Sequence, residues 1–501
     1  MNIEYIIVQA GGKGTRMESL TRNKPKALVP VDNLPMLFHL FKMFPDKKFV
    51  IIGDYKFDVL KRYLEAFAEV DYQLVCGTGF CGTCAGLSAA LDCVPENTPL
   101  MLVWSDLVLP ALFRFPEKEG NYIGISKDFP CRWKFENGEF SEERSEEFGV
   151  AGLFLFQNKL VLGQVPMEGE FVQWLKGRNF PKVEFALYQA KEYGRISEYR
   201  RQVPPQRCRP FNRITMGKDT VIKEAIDKQG ENLAERECAW YQKAMQQSFQ
   251  QIPKIYSLSP LTMERIDGKA VYNYTSLSFE EKKKILLQII ACLKEVQSLG
   301  SIPANANSYY KAYVAKTFDR LEKVRELVPF ANDKTVVVNG KRCRNIFFHR
   351  DEVEKLVAAY VPDKFCFIHG DCTFSNIMLR SNRTPVLIDP RGYFGQTELY
   401  GDPAYDWAKL YYSIVGNYDQ FNLKRFQLDI QEREVLLSIE SNHWEDMEEI
   451  YFSQLSQDVT PRQIKLFHAI IWLSLTTYAW EDYDSICGAF YNGLFYLEDV
   501  L

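Results

Sequence analysis

The chain alternates between two rhythms of apolar and polar residues, and the change of rhythm divides it. In the first half, short apolar runs occupy Glu4 to Val8, Lys48 to Ile52, Tyr72 to Cys76 and Leu100 to Trp104, with the length and composition of buried strands. Between them, Lys56 to Ala68 and Cys84 to Leu91 carry helical spacing. Strand followed by helix in this order predicts an α/β domain with a mostly parallel sheet and helices on both faces. The pattern then shifts. WKFENGEFSEE alternates about Asn137-Gly138 and predicts a hairpin, and Val150 to Phe156 predicts one more strand.

The stretch RRQVPPQRCRP, from Arg200 to Pro210, has three prolines and no apolar periodicity. Such a stretch reads as a linker, which gives a first domain at 1–203, a linker at 204–210 and a second domain at 211–501. Beyond it come strand-like Val221 to Lys223, a helix from about Asn232 to Gln246, and strands near Ile255 and Met263. Long helical patterns then dominate, among them Glu280 to Leu299 and Tyr309 to Leu327. The second domain is therefore expected to be α+β, with a small lobe at about 211–266 and a helical large lobe at about 267–501.

Composition narrows the class. A chain of 501 residues exceeds one ordinary core, and 46% hydrophobic with 25% charged residues is a globular balance. A net charge of −4 gives no reason to expect nucleic acid or an anionic membrane as partner. The opening MNIEYIIVQAGG lacks the basic and apolar regions of a signal peptide, and no window reaches the ~20 apolar residues of a membrane helix. The expectation is a cytoplasmic protein with no membrane insertion. Of the twelve cysteines, Cys76, Cys81, Cys84 and Cys93 come nearest to metal-ligand spacing, but no second C-x-x-C or histidine pair completes a zinc site.

Candidate chemistry begins at Gln9-Ala-Gly11-Gly12-Lys-Gly14-Thr15-Arg16, directly after the first strand. Glycines there let backbone N–H groups close around phosphates, although such a turn can equally be structural. Lys24-Pro-Lys26-Ala-Leu-Val-Pro30 follows. Together the two stretches resemble the signature of sugar-phosphate nucleotidyltransferases, G-x-G-T-R followed by P-K-x-L-x-P-V, over roughly residues 3 to 200. The resemblance implies a Rossmann-like nucleotidyltransferase fold. It places Gly11, Gly12, Gly14 and Thr15 around an NTP, and Arg16 and Lys26 on its phosphates as catalytic cations. Nucleotidyl transfer concentrates negative charge on the α-phosphate and the departing pyrophosphate, which fixed cations stabilise. Gly82-Thr83-Cys-Ala-Gly86 resembles the family's G-T-A-G element beside the base, and Asp106 stands where the family has a magnesium ligand. Glu192-Tyr-Gly-Arg-Ile-Ser-Glu-Tyr199 resembles D-x-G-T-x-x-D-Y, which makes Glu192 the second ligand or else a solvated carboxylate at a helix start. Arg144 and Gly152 occupy places where family members meet the substrate.

In the second domain the strand Phe365 to Ile368 runs into His369-Gly-Asp371-Cys-Thr-Phe-Ser-Asn376, and Pro385 to Ile388 runs into Asp389-Pro-Arg-Gly392. H-G-D-x4-N followed by I-D-P-R-G resembles the aminoglycoside phosphotransferase and choline kinase family, and implies a bilobal protein-kinase-like fold. By that resemblance Asp371 accepts the hydroxyl proton, Asn376 and Asp389 hold magnesium, His369 braces the loop, and a carboxylate of Gly401-Asp402-Pro-Ala-Tyr-Asp406-Trp407 supports it. Lys223 resembles the lysine on the ATP phosphates. Its partner is expected at Glu237, with Glu235 as the alternative, and Glu264 lies in the hinge that meets adenine. Phe211 to Thr220 holds a single glycine, so no G-x-G-x-x-G loop covers the phosphates.

A kinase that makes a phosphomonoester and a nucleotidyltransferase that consumes one form a two-step route. The expected reactants are a small hydroxyl metabolite, ATP and a second NTP (CTP, UTP or GTP), with Mg2+ in both domains. The metabolite is read as a sugar, with the NDP-sugar feeding surface glycan synthesis. The alternative is an amino alcohol such as choline, caged by aromatics among Trp407, Tyr411, Trp444, Trp472, Tyr478 and Trp480 and later coupled to CTP. One half could also be a degenerate regulatory module.

Overall fold

A computed structural model of the chain describes residues 1–77, 79, 82–202, 212–456 and 458–501. Cys81, the linker at 204–210 and the flanking Val203 and Phe211 lie outside the described residues. The chain divides into two compact units, Met1–Pro204 with Trp480–Asp484, and Pro205–Ala479 with Ser485–Leu501. Among the described residues no helix is long and apolar enough to cross a membrane.

In the first unit the strand Tyr5–Gln9 is central. Ile6, Ile7 and Val8 are fully buried, as both faces of a parallel sheet are covered. Lys48–Gly53 pairs parallel to it on one side and Leu100–Trp104 on the other, with Gln9 opposite both Ile52 and Trp104. The carboxyl ends of three strands are therefore level. Tyr72–Cys76 adds a further parallel strand. On the other side Gly149–Phe156 runs antiparallel to Leu100–Trp104, followed by Tyr122–Ser126 and Val183–Leu187. The hairpin expected about Asn137 is present as Lys134–Glu136 against Glu139–Ser141. The helix expected from Cys84 starts only at Leu87, because Gly86 at φ 73° holds a left-handed conformation before it.

The second unit opens with a four-stranded antiparallel sheet in the order Asn212–Met216, Thr220–Ala225, Leu261–Glu264, Ile255–Leu258. Helix Lys228–Gln246 follows it in the chain after Thr220–Ala225, capped by the Asp227 side chain, which accepts from the Gly230 N–H at 2.7 Å. The remainder is largely helical. Helices Phe279–Ser298 and Pro461–Ser474 each begin with a reciprocal capping box, Ser278 with Glu281 and Thr460 with Gln463. The single helix expected from Tyr309 to Leu327 is instead Ala306–Tyr310, a π-helical stretch Lys311–Ala315, and Lys316–Val324. Four of the aromatics considered for a cage are core residues: Trp407, Trp444, Trp472 and Tyr411 are all buried. Their packing accounts for them, as aromatics at helical spacing most often fill the interior.

Candidate active sites

The glycine-rich turn of the first unit leaves the strand Tyr5–Gln9 at the level where the neighbouring strands end. Ligands of open α/β sheets meet the protein at such strand ends. Gly14, at φ 61°, lies so close to Lys26 that an added Cβ would come within 3.1 Å of the Lys26 Cβ. A side chain there would displace the lysine. Gly11, Gly12, Gly14, Thr15, Arg16 and Lys26 all line one cavity of about 1070 Å³, together with Gly82, Thr83, Asp106, Arg144 and Glu192. Thr83 is fixed from two sides, its carbonyl accepting from Gln9 Nε2 at 2.7 Å and its hydroxyl accepting from the Phe171 N–H at 2.7 Å.

Lys26 forms an ion pair with Asp106. Glu192 reaches the same place through backbone pairing: Lys191–Glu192 lies antiparallel to Leu107–Val108, and the Tyr193 N–H donates to the Asp106 carbonyl at 3.1 Å. Glu192 thus sits on a strand rather than at a helix start. Burial, and then the negative charge of Asp106, push its carboxyl up to about 7. Two carboxylates that disfavour each other's charge are a donor set that a divalent cation satisfies.

Gly152, at φ 83°, makes room for an indole: an added Cβ would lie 2.1 Å from Trp104 Cε3. Its part is to seat Trp104, which lines the cavity. The buried Trp104 Nε1–H has no acceptor among the described residues. Sequence reasoning missed Trp104, Arg132 and Glu170 as lining groups. Glu170 accepts from the Trp133 Nε1–H at 3.1 Å and pairs with Arg132 at 3.4 Å. No spacing in the sequence links these positions, because only the fold brings residues 132 and 170 together.

In the second unit the loop after strand Lys364–Phe367 is held by a remote carboxylate. Both oxygens of buried Asp406 accept backbone N–H groups, from His369 and Gly370, each at 2.7 Å. His369 donates from Nε2 to the Ile388 carbonyl at 2.9 Å and accepts the Asp371 N–H on Nδ1 at 3.2 Å. Burial lowers its pKa, so the ring is a neutral brace. Asn376 Nδ2 donates to the Asp371 carbonyl and to Asp371 Oδ2, both at 2.9 Å, which turns the Asn376 amide oxygen towards other partners.

Lys223 Nζ lies 2.6 Å from Glu237 Oε2 and 2.7 Å from Asp389 Oδ1. Glu237 is buried and Glu235 exposed, so the pair is Lys223 with Glu237. Burial works against the Lys223 charge, yet Asp389 and Glu237 offset it and hold the ammonium above its ordinary pKa. Glu264 is engaged differently from the expectation. Its carboxylate takes the Arg380 guanidinium in a two-pronged pair, one contact at 2.9 Å, and accepts the Lys254 N–H at 3.1 Å.

Two family profiles match the chain: the MobA-like NTP transferase domain over residues 6–114 and the phosphotransferase enzyme family over residues 224–437. The UTP–glucose-1-phosphate uridylyltransferase of Haloferax volcanii is 39% identical over 100 residues, 19% of this chain and 41% of that protein. The glucose-1-phosphate cytidylyltransferase of Salmonella typhimurium is 40% identical over 60 residues, 11% of this chain and 23% of that protein. The chain therefore matches less than half the length of either curated relative. Among solved structures, the inositol-1-phosphate CTP transferase from T. maritima covers 40% of this chain and 92% of its own at 16% identity and a TM-score of 0.34.

Proposed function

We propose that this chain, which carries an NTP transferase domain followed by a domain of the phosphotransferase enzyme family, activates one metabolite in two steps. In the first, the hydroxyl oxygen of the metabolite bonds to the γ-phosphorus of ATP, the β–γ bridging bond breaks, ADP leaves and Asp371 takes the hydroxyl proton. In the second, an oxygen of the new phosphomonoester bonds to the α-phosphorus of an NTP and pyrophosphate leaves. Arg16 and Lys26 stabilise the charge of that second step, and Lys223, held by Glu237, meets the ATP phosphates of the first.

Asp106 with Glu192, and Asn376 with Asp389, are donor sets of hard oxygens that fit Mg2+. Bound there, the cation would neutralise phosphate charge. The metabolite in this reading is a sugar, in keeping with the sugar-phosphate substrates named for the curated relatives, and the NDP-sugar serves surface glycan synthesis in the cytoplasm. The domains are 1–203 and 211–501. Burial of four of the six aromatics considered for a cage, Trp407, Tyr411, Trp444 and Trp472, weighs against choline.

The observation that carries the reading is convergence. In each unit, charged residues from distant segments meet at one place: Arg16, Lys26, Asp106 and Glu192 in the first, Lys223, Glu237 and Asp389 in the second. The test is a coupled incubation of the full chain with Mg2+, ATP, one NTP and a panel of sugars, read by chromatography. An NDP-linked product that forms only when ATP and the NTP are both present is expected. Product formed without ATP from an unphosphorylated sugar would sink the two-step order.

A further inference from the structure

Around Asp371 the large lobe gathers positive charge. Lys409 Nζ lies 3.0 Å from Asp371 Oδ1. Arg391 follows Asp389 by two residues, and its backbone N–H donates to the His369 carbonyl at 2.8 Å, which ties it to the loop that carries Asp371. Its guanidinium donates to the Tyr405 hydroxyl at 3.2 Å and to the Tyr393 hydroxyl at 2.6 Å. Lys316 and Arg320 stand one helical turn apart on Lys316–Val324, so they share a face. The charges that bear on Lys316 are Arg391, Arg320 and Lys409, which repel it, and Asp371, which attracts it. The π-helical stretch Lys311–Ala315 immediately before Lys316 shifts the helical phase there, a device that recurs at functional sites.

Apart from Lys409, which pairs with Asp371, the contacts of these cations are with tyrosines and backbone rather than carboxylates. Arg320 donates to the Ser474 carbonyl, and Asp371 is already engaged by Lys409 and Asn376. The aromatic faces are occupied as well. Tyr405 has Lys316 at 5.9 Å and Lys409 at 6.0 Å from its ring centre, and Tyr393 has Arg391 at 4.4 Å and Arg236 at 4.5 Å. An ammonium substrate would meet like charge and rings that already carry cations, whereas an anion would relieve the crowding. Lys223, which serves the ATP phosphates, belongs to the small-lobe sheet and is not one of these groups.

We propose that the acceptor of the phosphotransferase half is itself an anion, a hydroxyl compound whose carboxylate, phosphonate or phosphate lies against Lys316, Arg320 and Arg391 while its hydroxyl faces Asp371. This rests on the kinase reading of Asp371. A sugar acid satisfies both this requirement and the sugar reading. Lys316 and Arg320 set specificity; they do not take part in phosphoryl transfer.

The test is ADP release by the full chain with saturating ATP and Mg2+ against three sets of acceptors: anionic (D-glycerate, glucuronate, 2-hydroxyethylphosphonate, glycerol 3-phosphate), neutral (glycerol, glucose) and cationic (choline, ethanolamine). An anionic compound is expected to have the highest kcat/KM, and which anionic member wins tells carboxylate from phosphonate or phosphate. Lys316→Met is expected to raise KM for that acceptor roughly ten- to a hundredfold, the loss of one charge-assisted contact, with KM for ATP unchanged and Lys316→Arg keeping most of the affinity. A melting curve for each variant checks folding. A neutral or cationic compound with the highest kcat/KM overturns the inference and leaves the kinase reading standing. A Lys316→Met effect on ATP instead of the acceptor also overturns it, by assigning the cluster to the nucleotide. ADP release by no compound of any charge overturns the kinase reading and the inference with it.

Discussion

The two candidate sites pair their carboxylates with lysines to different extents. In the first unit Asp106 and Glu192 are brought side by side by backbone pairing, and Glu192 is pushed up to about 7 by burial and by its neighbour. In the second, each acidic group has a donor set against it: Asn376 and Lys409 on Asp371, Lys223 on Asp389. In the first, Lys26 pairs with Asp106, and the repulsion left on Glu192 is what a divalent cation would relieve. The second sets a lysine against each of its two loop carboxylates, Lys409 on Asp371 and Lys223 on Asp389. Either would suit phosphates and metal, the first with one carboxylate paired and its neighbour raised, the second with both carboxylates paired.

The largest effects should separate the two halves. Asp371→Asn is expected to lower ADP formation about 10³-fold, the scale of a lost general base, while pyrophosphate release from a supplied phosphomonoester continues. Asp106→Asn should do the reverse. If either substitution silences both half-reactions, the division into two independent chemistries is wrong. Lys223→Met sharpens the contrast within the second site. It leaves buried Glu237 without its cation, and removing one partner of a buried pair costs about 3–5 kcal/mol. Adding Glu237→Gln should restore much of that stability, seen in chemical denaturation, without restoring ATP turnover. Recovery of turnover along with stability would show that Lys223 is only structural.

Much of this was legible because the candidate groups cluster just after buried strands, where periodicity and motif can be read together. Gln9 to Arg16 follows Tyr5–Gln9, and His369 to Asn376 follows Lys364–Phe367. The partner of Lys223 was legible down to a choice between Glu235 and Glu237. Helical phase decided it, since positions two apart face different ways and only Glu237 points inward. What stayed hidden depends on tertiary approach. Glu170 reaches the cavity only because its segment packs beside Thr83 and Trp133, and Arg380 captures Glu264 from a hairpin far along the chain. The π-helical break before Lys316 was equally hidden, because Tyr309 to Leu327 keeps an unbroken helical pattern of apolar residues.

A smaller effect probes the wall of the first site. Gly152→Ala places a methyl group against Trp104 at a backbone angle that side chains resist, and should cost about 1–3 kcal/mol. Because Trp104 lines the cavity, the displaced indole should also raise KM for the phosphomonoester while the second half keeps its ADP-forming rate. Unchanged kinetics with lowered stability would confine Gly152 to packing.

The effect furthest from the chemistry concerns a buried carboxylate that only supports a site. Asp402 caps helix Pro403–Ile414, accepting the Ala404 N–H at 3.0 Å and the Tyr313 hydroxyl at 2.8 Å. Burial pushes its carboxyl from 3.8 up to about 7. The unfolded chain therefore releases this proton near pH 4, whereas the folded chain holds it to about pH 7. Between those values the unfolded state binds fewer protons, so stability is full below pH 4, falls as pH rises, and levels off above pH 7. Asn is as good a cap and cannot ionise. Asp402→Asn should thus gain stability relative to the parent as pH rises from 4 to 7, with no further gain above, in melting curves taken at matched ionic strength. A constant difference across that range would mean that Asp402 is ionised in the folded protein throughout, and that its two donors outweigh the cost of burying the charge.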